Sequence, residues 1–163
     1  MIIKHFTRPY QNIVNQIRTE SYISFNNKRM QAISLWDTGA SCTCISEDVI
    51  KQLSLMSISK IPILTPSSKI PEFRDIYIVD VELPNGVNLK SIPVCSSEIG
   101  NQGIQMLIGM DIITKGDFAI SNYNNRTIFS FRYPAYEDIN FVNDARKKDL
   151  MKNLSHGKGK RKK

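Results

Sequence analysis

The chain is poor in the features that would place it in several broad classes. It has three cysteines, Cys42, Cys44 and Cys95, an odd number and too few for a disulfide framework. That scarcity fits a reducing compartment. No apolar run approaches the ~20 residues needed to span a bilayer as a helix. The first residues include His5, Arg8 and Pro9 with no apolar stretch after them, unlike a signal peptide. The expectation is therefore a cytoplasmic protein with no transmembrane segment. At 163 residues, 41% hydrophobic and 23% charged, the chain has room for one globular core without staples, but not for two repeated domains of ordinary size.

The net charge of +7 is unevenly spread. Nine Lys and Arg lie in residues 146–163 against one acid, Asp149, so residues 1–145 carry −1. The basic end has little to bury and reads as a disordered tail, with room for a short helix over residues 145–154. Two roles stay open for it: a solubilising extension, or a weak, salt-sensitive contact with nucleic acid or an anionic surface.

The body reads as short strands. Residues 13–25 and 30–36 alternate around the turn-like Asn26-Asn27, and the second strand delivers Asp37 to its end. Ser46 followed by Glu47-Asp48, with Val49, Ile50 and Leu53 at helical spacing, predicts an N-capped helix of about two turns. Residues 61–71, with Pro62, Pro66 and Pro71, predict a loop or hairpin tip. Residues 76–83 and 87–94 flank Pro84-Asn85-Gly86 and predict a hairpin. Residues 106–113 read as a strand and a short helix with Gly109 as a point of close approach. Residues 119–121 and 127–131 give one more hairpin. The pattern implies an all-β, barrel-like domain with one or two short helices.

The segment that carries chemistry is Asp37-Thr38-Gly39-Ala40-Ser41. A shuffled chain of this composition yields Asp-Thr-Gly only ~0.02 times. An Asp emerging from an apolar strand needs solvation or hydrogen bonds, and Thr38 and Gly39 supply a hydroxyl and a site of close backbone approach.

With Leu107-Ile108-Gly109-Met110-Asp111-Ile112-Ile113 downstream, this segment resembles the retropepsin-like aspartic proteases. The continuation Gly116-Asp117-Phe118-Ala119-Ile120-Ser121 is similar to their single-domain bacterial branch. The resemblance covers residues 30–133, leaving residues 1–29 as an N-terminal strand extension and 134–163 as a C-terminal extension. It implies a retropepsin-like barrel, a homodimer, an extended peptide substrate and no cofactor.

By the same resemblance Asp37 of each chain meets its symmetry mate. Two close carboxylates share one proton, one acting as base on water and the other polarising the scissile carbonyl. The chain has a single Asp-Thr-Gly, and Asp111 and Asp117 lack the following Thr-Gly, so the second copy comes from another subunit. Thr38 would brace the dyad, and Gly39, Ala40, Ser41 and Ile108 would line the cleft. Leu107, Ile108 and Gly109 would pack behind the active-site loop. Thr65, Pro66, Ser67 and Ser68 stand where the family carries its flap, although residues 64–71 contain two prolines and no glycine. Met110 stands where the retroviral branch commonly has Arg.

Bland readings stand beside these. Asp-Thr-Gly also suits a strand-ending turn, and the same fold without turnover would be a dimeric peptide-binding or scaffolding module. Cys42, Cys44 and Cys95 with His5 or His156 have poor spacing for zinc, and Cys42 and Cys44 read instead as two small buried thiols on a strand after the Asp37 turn.

Overall fold

The computed structural model describes residues 2–64 and 70–158, with backbone alone for 153–158. The elements in chain order are β1 (Lys4–Pro9), β2 (Ile17–Phe25), β3 (Lys28–Trp36), β4 (Cys44–Ile45), α1 (Glu47–Leu53), β5 (Ser59–Ile63), β6 (Glu72–Leu83), β7 (Val87–Ser96), β8 (Met106–Ile108), α2 (Met110–Ile113), β9 (Asp117–Ser121), β10 (Ile128–Tyr133) and α3 (Phe141–Lys158). Seven strands form one sheet in the order β2-β3-β8-β4-β7-β6-β5. A further pairing of β2 with β6 closes six of them into a barrel and leaves β5 outside the ring. A second sheet has the order β1-β10-β9. The all-β barrel expected from the strand pattern is the observed architecture. Among the described residues no helix is long and apolar enough to cross a membrane.

Alternation sets which way each strand faces. Ile17, Thr19, Ser21 and Ile23 on β2, with Ala32, Ser34 and Trp36 on β3, all point inward. The polar members of this set are paired. Ser21 and Ser34 share a 2.5 Å hydroxyl contact, and the Trp36 Nε1–H donates to Thr19 Oγ1 at 2.9 Å. Buried hydroxyls are tolerated because each has a partner.

The predicted hairpin at residues 76–94 is present, and both Asn85 (φ 58°) and Gly86 (φ 68°) are left-handed, as a tight reversal between twisted strands requires. The first strand of the sequence pattern starts four residues late, at Ile17. Residues 10–16 serve instead as a strap: the Tyr10 hydroxyl bonds both the N–H and the carbonyl of Arg18, and the Val14 N–H donates to Thr127 Oγ1. Helix α1 spans the expected two turns, but Ser46 caps it through its carbonyl, which accepts from Val49 and Ile50. The Ser46 hydroxyl is buried and makes no cap bond.

The basic end differs most from its sequence reading. It is helical from Phe141 to Lys158, longer than the helix expected over residues 145–154, and residues 159–163 of the expected disordered tail lie outside the described residues. Two causes account for this. Asn140 Oδ1 accepts the N–H groups of Val142 and Asn143, a side-chain N-cap. Lys, Arg, Leu and Met in the following turns are strong helix formers. Phe141, Val142, Leu150 and Met151 on this helix are all exposed.

The two sheets are joined by aromatic side chains. Phe6 of β1, Phe118 of β9 and Phe129 and Phe131 of β10 surround Trp36, with ring centroids 4.8 Å from Trp36 to Phe129 and 4.9 Å from Trp36 to Phe131. Tilted rings at such distances gain from their quadrupoles as well as from burial. Trp36 immediately precedes Asp37, so this cluster is the foundation of the loop that follows. Phe129 is fully buried, and Phe129→Ala should cost about 3–5 kcal/mol in urea denaturation, separating the small sheet from the barrel.

Candidate active site

Strand β3 ends at Trp36, immediately before Asp37, and its parallel partner β8 fixes where that end lies: Leu35 stands opposite Leu107 and Trp36 opposite Ile108. The ladder continues into the loop. The Asp37 N–H donates to the Ile108 carbonyl at 2.9 Å, and the Met110 N–H donates to the Ala40 carbonyl at 2.8 Å. Within the loop the Gly39 N–H donates to Asp37 Oδ1 at 2.8 Å, and the Ala40 N–H to the Asp37 carbonyl at 3.3 Å. The result is a half-buried carboxylate on a backbone stitched from both sides.

Gly109 explains why the two segments can lie so close. A Cβ there would stand 2.6 Å from the Cys42 carbonyl carbon and 2.7 Å from its oxygen. These are backbone atoms, which cannot swing aside. The absence of a side chain, rather than any unusual dihedral, is what this position requires.

Thr43 was not singled out by the sequence. It is fully buried, and its hydroxyl accepts the Gly109 N–H at 3.1 Å while donating to Asp111 Oδ1 at 2.8 Å. Asp111 Oδ1 also accepts the Ile112 N–H at 3.0 Å. One hydroxyl therefore ties the chain leaving the Asp37 loop to the turn that supports that loop. A buried threonine following a small-residue loop carries no local signal of this kind, because its partners are 66 and 68 residues away.

The other expected site residues are placed as follows. Thr38, Gly39 and Ser41 are exposed and Ala40 is half-buried. Leu107 is half-buried on β8. The Ile108 side chain, expected to line the cleft, is fully buried in the core, so its link to the site is its carbonyl. Thr65, Pro66, Ser67 and Ser68 lie outside the described residues.

No second carboxylate of the described chain meets Asp37. Asp111 is taken up by Thr43 and Ile112. Asp117 faces Arg132: its Oδ2 accepts Arg132 Nε at 2.7 Å and the Tyr136 N–H at 2.8 Å. Burial pushes the Asp117 carboxyl up, but the Tyr136 N–H and the Arg132 guanidinium outweigh it and hold the group below the ordinary carboxylate range.

Asp37 and Thr38 open onto a concavity of about 270 Å³ whose walls include Ile17, Leu35, Trp36, Phe118 and Ile120. A larger groove of about 790 Å³ lies between β3 and α1, remote from Asp37 and lined by Asp48, Lys51 and Gln105 among others. It lacks any hydroxyl or second carboxylate to act with Asp48, so the smaller concavity at Asp37 and Thr38 is the candidate site. Among the described residues no group of His, Cys, Asp and Glu is arranged to hold a metal ion.

Residues 22–115 match the family described as "gag-polyprotein putative aspartyl protease". The chain belongs to this aspartyl protease family. The matched span runs from within β2 to just past α2, and it contains both the Asp37 loop and the Gly109 turn. Among solved structures, a retropepsin-like aspartic protease from Rickettsia conorii is similar at 16% identity and a TM-score of 0.50, over 81% of this chain and 96% of that one. The retroviral protease-like domain of Ddi1 from Leishmania major aligns at 12% identity and a TM-score of 0.40, over 69% of this chain and 93% of that one. At these identities the Rickettsia structure supports the retropepsin-like fold alone. No curated relative matches the chain.

Thr43→Val keeps the shape of the side chain and deletes its hydroxyl. It leaves the buried Gly109 N–H without a partner and should cost about 1–3 kcal/mol in chemical denaturation, whereas Thr43→Ser should recover most of that loss.

Proposed function

We propose that the protein is an aspartic endopeptidase whose active site is completed by a second copy of the chain. The observation that carries this reading is the state of Asp37: a half-buried carboxylate, held by backbone bonds to Ile108 and Gly39, with no second carboxylate beside it among the described residues. Such an arrangement is half of a proton-sharing pair. Two copies related by a two-fold axis through this loop supply the pair.

The small sheet offers the surface for that pairing. Strand β9 pairs with β10 on one side and with nothing on the other among the described residues. Its Phe118 and Ile120 flank the concavity at Asp37 and Thr38, and Ile120 is exposed. Antiparallel addition of one β9 to another would extend two three-stranded sheets into one and bring the Asp37 loops together. The exposed Thr38, which makes no hydrogen bond among the described residues, then meets its counterpart.

In the dimer, the ionised Asp37 takes a proton from a water lying between the carboxylates. The protonated Asp37 of the second copy donates to the scissile carbonyl oxygen as the water oxygen bonds to its carbon. Collapse of the tetrahedral adduct breaks the C–N bond, and the amine leaves with a proton returned by the dyad. The substrate lies extended, as a strand between the loop floor and the β5–β6 hairpin. The arms of that hairpin pair Ile63 with Glu72, and they carry exposed Leu64, Ile70 and Phe73 towards the segment that includes Thr65, Pro66, Ser67 and Ser68.

Cleavage of a diverse unfolded peptide pool, read by mass spectrometry from pH 4 to 7, tests the assignment. New termini should appear with an optimum on the acid side of neutrality, and Asp37→Asn should lower the rate by roughly 100-fold or more. A folded dimer that binds peptides but leaves them intact would instead make the protein a peptide-binding module of the same fold. The mode of pairing has its own test. Ile120→Lys places two like charges at the joined edges, and it should weaken self-association at least tenfold by sedimentation while leaving the monomer's circular dichroism unchanged.

A further inference from the structure

The three thiols, which the proteolytic reading does not use, converge beneath the Asp37 loop. Cys44 and Cys95 are directly opposed on the parallel strands β4 and β7, with Sγ atoms 2.8 Å apart, whereas Cys42 Sγ stands 4.0 Å from Cys95 Sγ. Neighbouring strands lie ~4.8 Å apart, within the Cα separation that a disulfide spans. Cys95 is buried and Cys44 half-buried, so a small oxidant reaches the pair through Cys44.

We propose that Cys44 and Cys95 are a reversible dithiol–disulfide pair, closed by hydrogen peroxide, that staples β4 to β7 beneath the Asp37 loop. The Cys44 thiolate attacks one peroxide oxygen and the O–O bond breaks, giving a sulfenic acid at Cys44 and a hydroxide that leaves as water. Cys95 sulfur then attacks Cys44 Sγ, the S–S bond forms and the S–O bond breaks. The departing hydroxide takes up the Cys95 proton as a second water. Two thiols and one peroxide become one disulfide and two waters, with two electrons passing from sulfur to oxygen.

The order of events follows from the surroundings. The hydrogen bond with Cys44, then burial, pushes the Cys95 thiol well up, so Cys95 is the poorer first nucleophile and acts only after Cys44 has been oxidised. Burial and the neighbouring Cys95 push Cys42 up to about 11, leaving it protonated near neutrality. The bond would close the excursion that holds α1, β5 and β6. It would also fix β4, whose two residues form the shortest strand of the barrel and directly follow Thr43. Because Thr43 holds the Gly109 turn, the staple acts on the support of the Asp37 loop without touching Asp37.

The test uses the full chain, reduced, freed of reductant and treated with hydrogen peroxide. Intact mass should fall by two hydrogens, and peptide mapping should recover a Cys44–Cys95 crosslink. The melting temperature should rise by roughly 5–10 °C and return on adding dithiothreitol. Cys42→Ser should keep the crosslink and the shift, while Cys44→Ser and Cys95→Ala should each lose both. An unchanged mass, oxygen adducts without a crosslink, a Cys42–Cys95 bond or a bond between two chains would overturn the proposal. None of these outcomes depends on proteolysis, so the pair stands or falls separately from the assignment of the Asp37 site.

Discussion

The packing of the Asp37 loop on the turn at Gly109 is the constraint from which the rest of the site follows. Two backbones approach until only hydrogen atoms fit between Gly109 and the carbonyl of Cys42. Bonds from Asp37 to Ile108 and from Met110 to Ala40 close the contact on either side. A carboxylate on a free loop would sample many orientations, and each would have to be given up before a water or a second carboxylate could be engaged. Here that ordering is completed when the barrel folds. The buried Thr43 hydroxyl extends the same contact to Asp111, so the loop that carries Asp37 and the turn at Gly109 lean on a single support.

Beneath this support the aromatic cluster couples two structural units. Trp36 belongs to the barrel, while Phe6, Phe118, Phe129 and Phe131 belong to the small sheet. Because Asp37 follows Trp36, the position of the carboxylate depends on both sheets. Strand β1 adds to β10 within the same chain, which leaves β9 as an edge beside the site. The N-terminal strand is therefore part of the architecture that determines which edge is left open near Asp37.

The sequence was legible wherever a physical signal is local. Alternation along residues 30–36, the left-handed Asn85-Gly86 turn and the close approach at Gly109 each rest on a few neighbouring side chains, and each has its counterpart in the fold. It was less legible where a long-range partner overrides local preference. Residues 13–16 have strand-like apolar content, yet bonds with Thr127 and the strap through Tyr10 hold them as a loop. Ser46 has the side chain and position of an N-cap, yet its hydroxyl is buried without a cap bond. The C-terminal helix extends beyond the weak apolar pattern because Asn140, one residue ahead of it, supplies a cap that hydrophobic periodicity does not reveal.

What the sequence by itself determined is the menu of elements and the place of the Asp37-Thr38-Gly39 segment among them. Period-two burial, turn chemistry and an Asp-Thr-Gly at the end of an apolar strand are properties of consecutive residues. What only the tertiary structure decided is which of those residues meet. Closure of the barrel through β2 and β6, the hydroxyl of Thr43 between Gly109 and Asp111, and the opposition of Cys44 and Cys95 all join positions tens of residues apart. Such meetings are set by strand order and register, and these are fixed by burying the whole core at once rather than by any window of the chain.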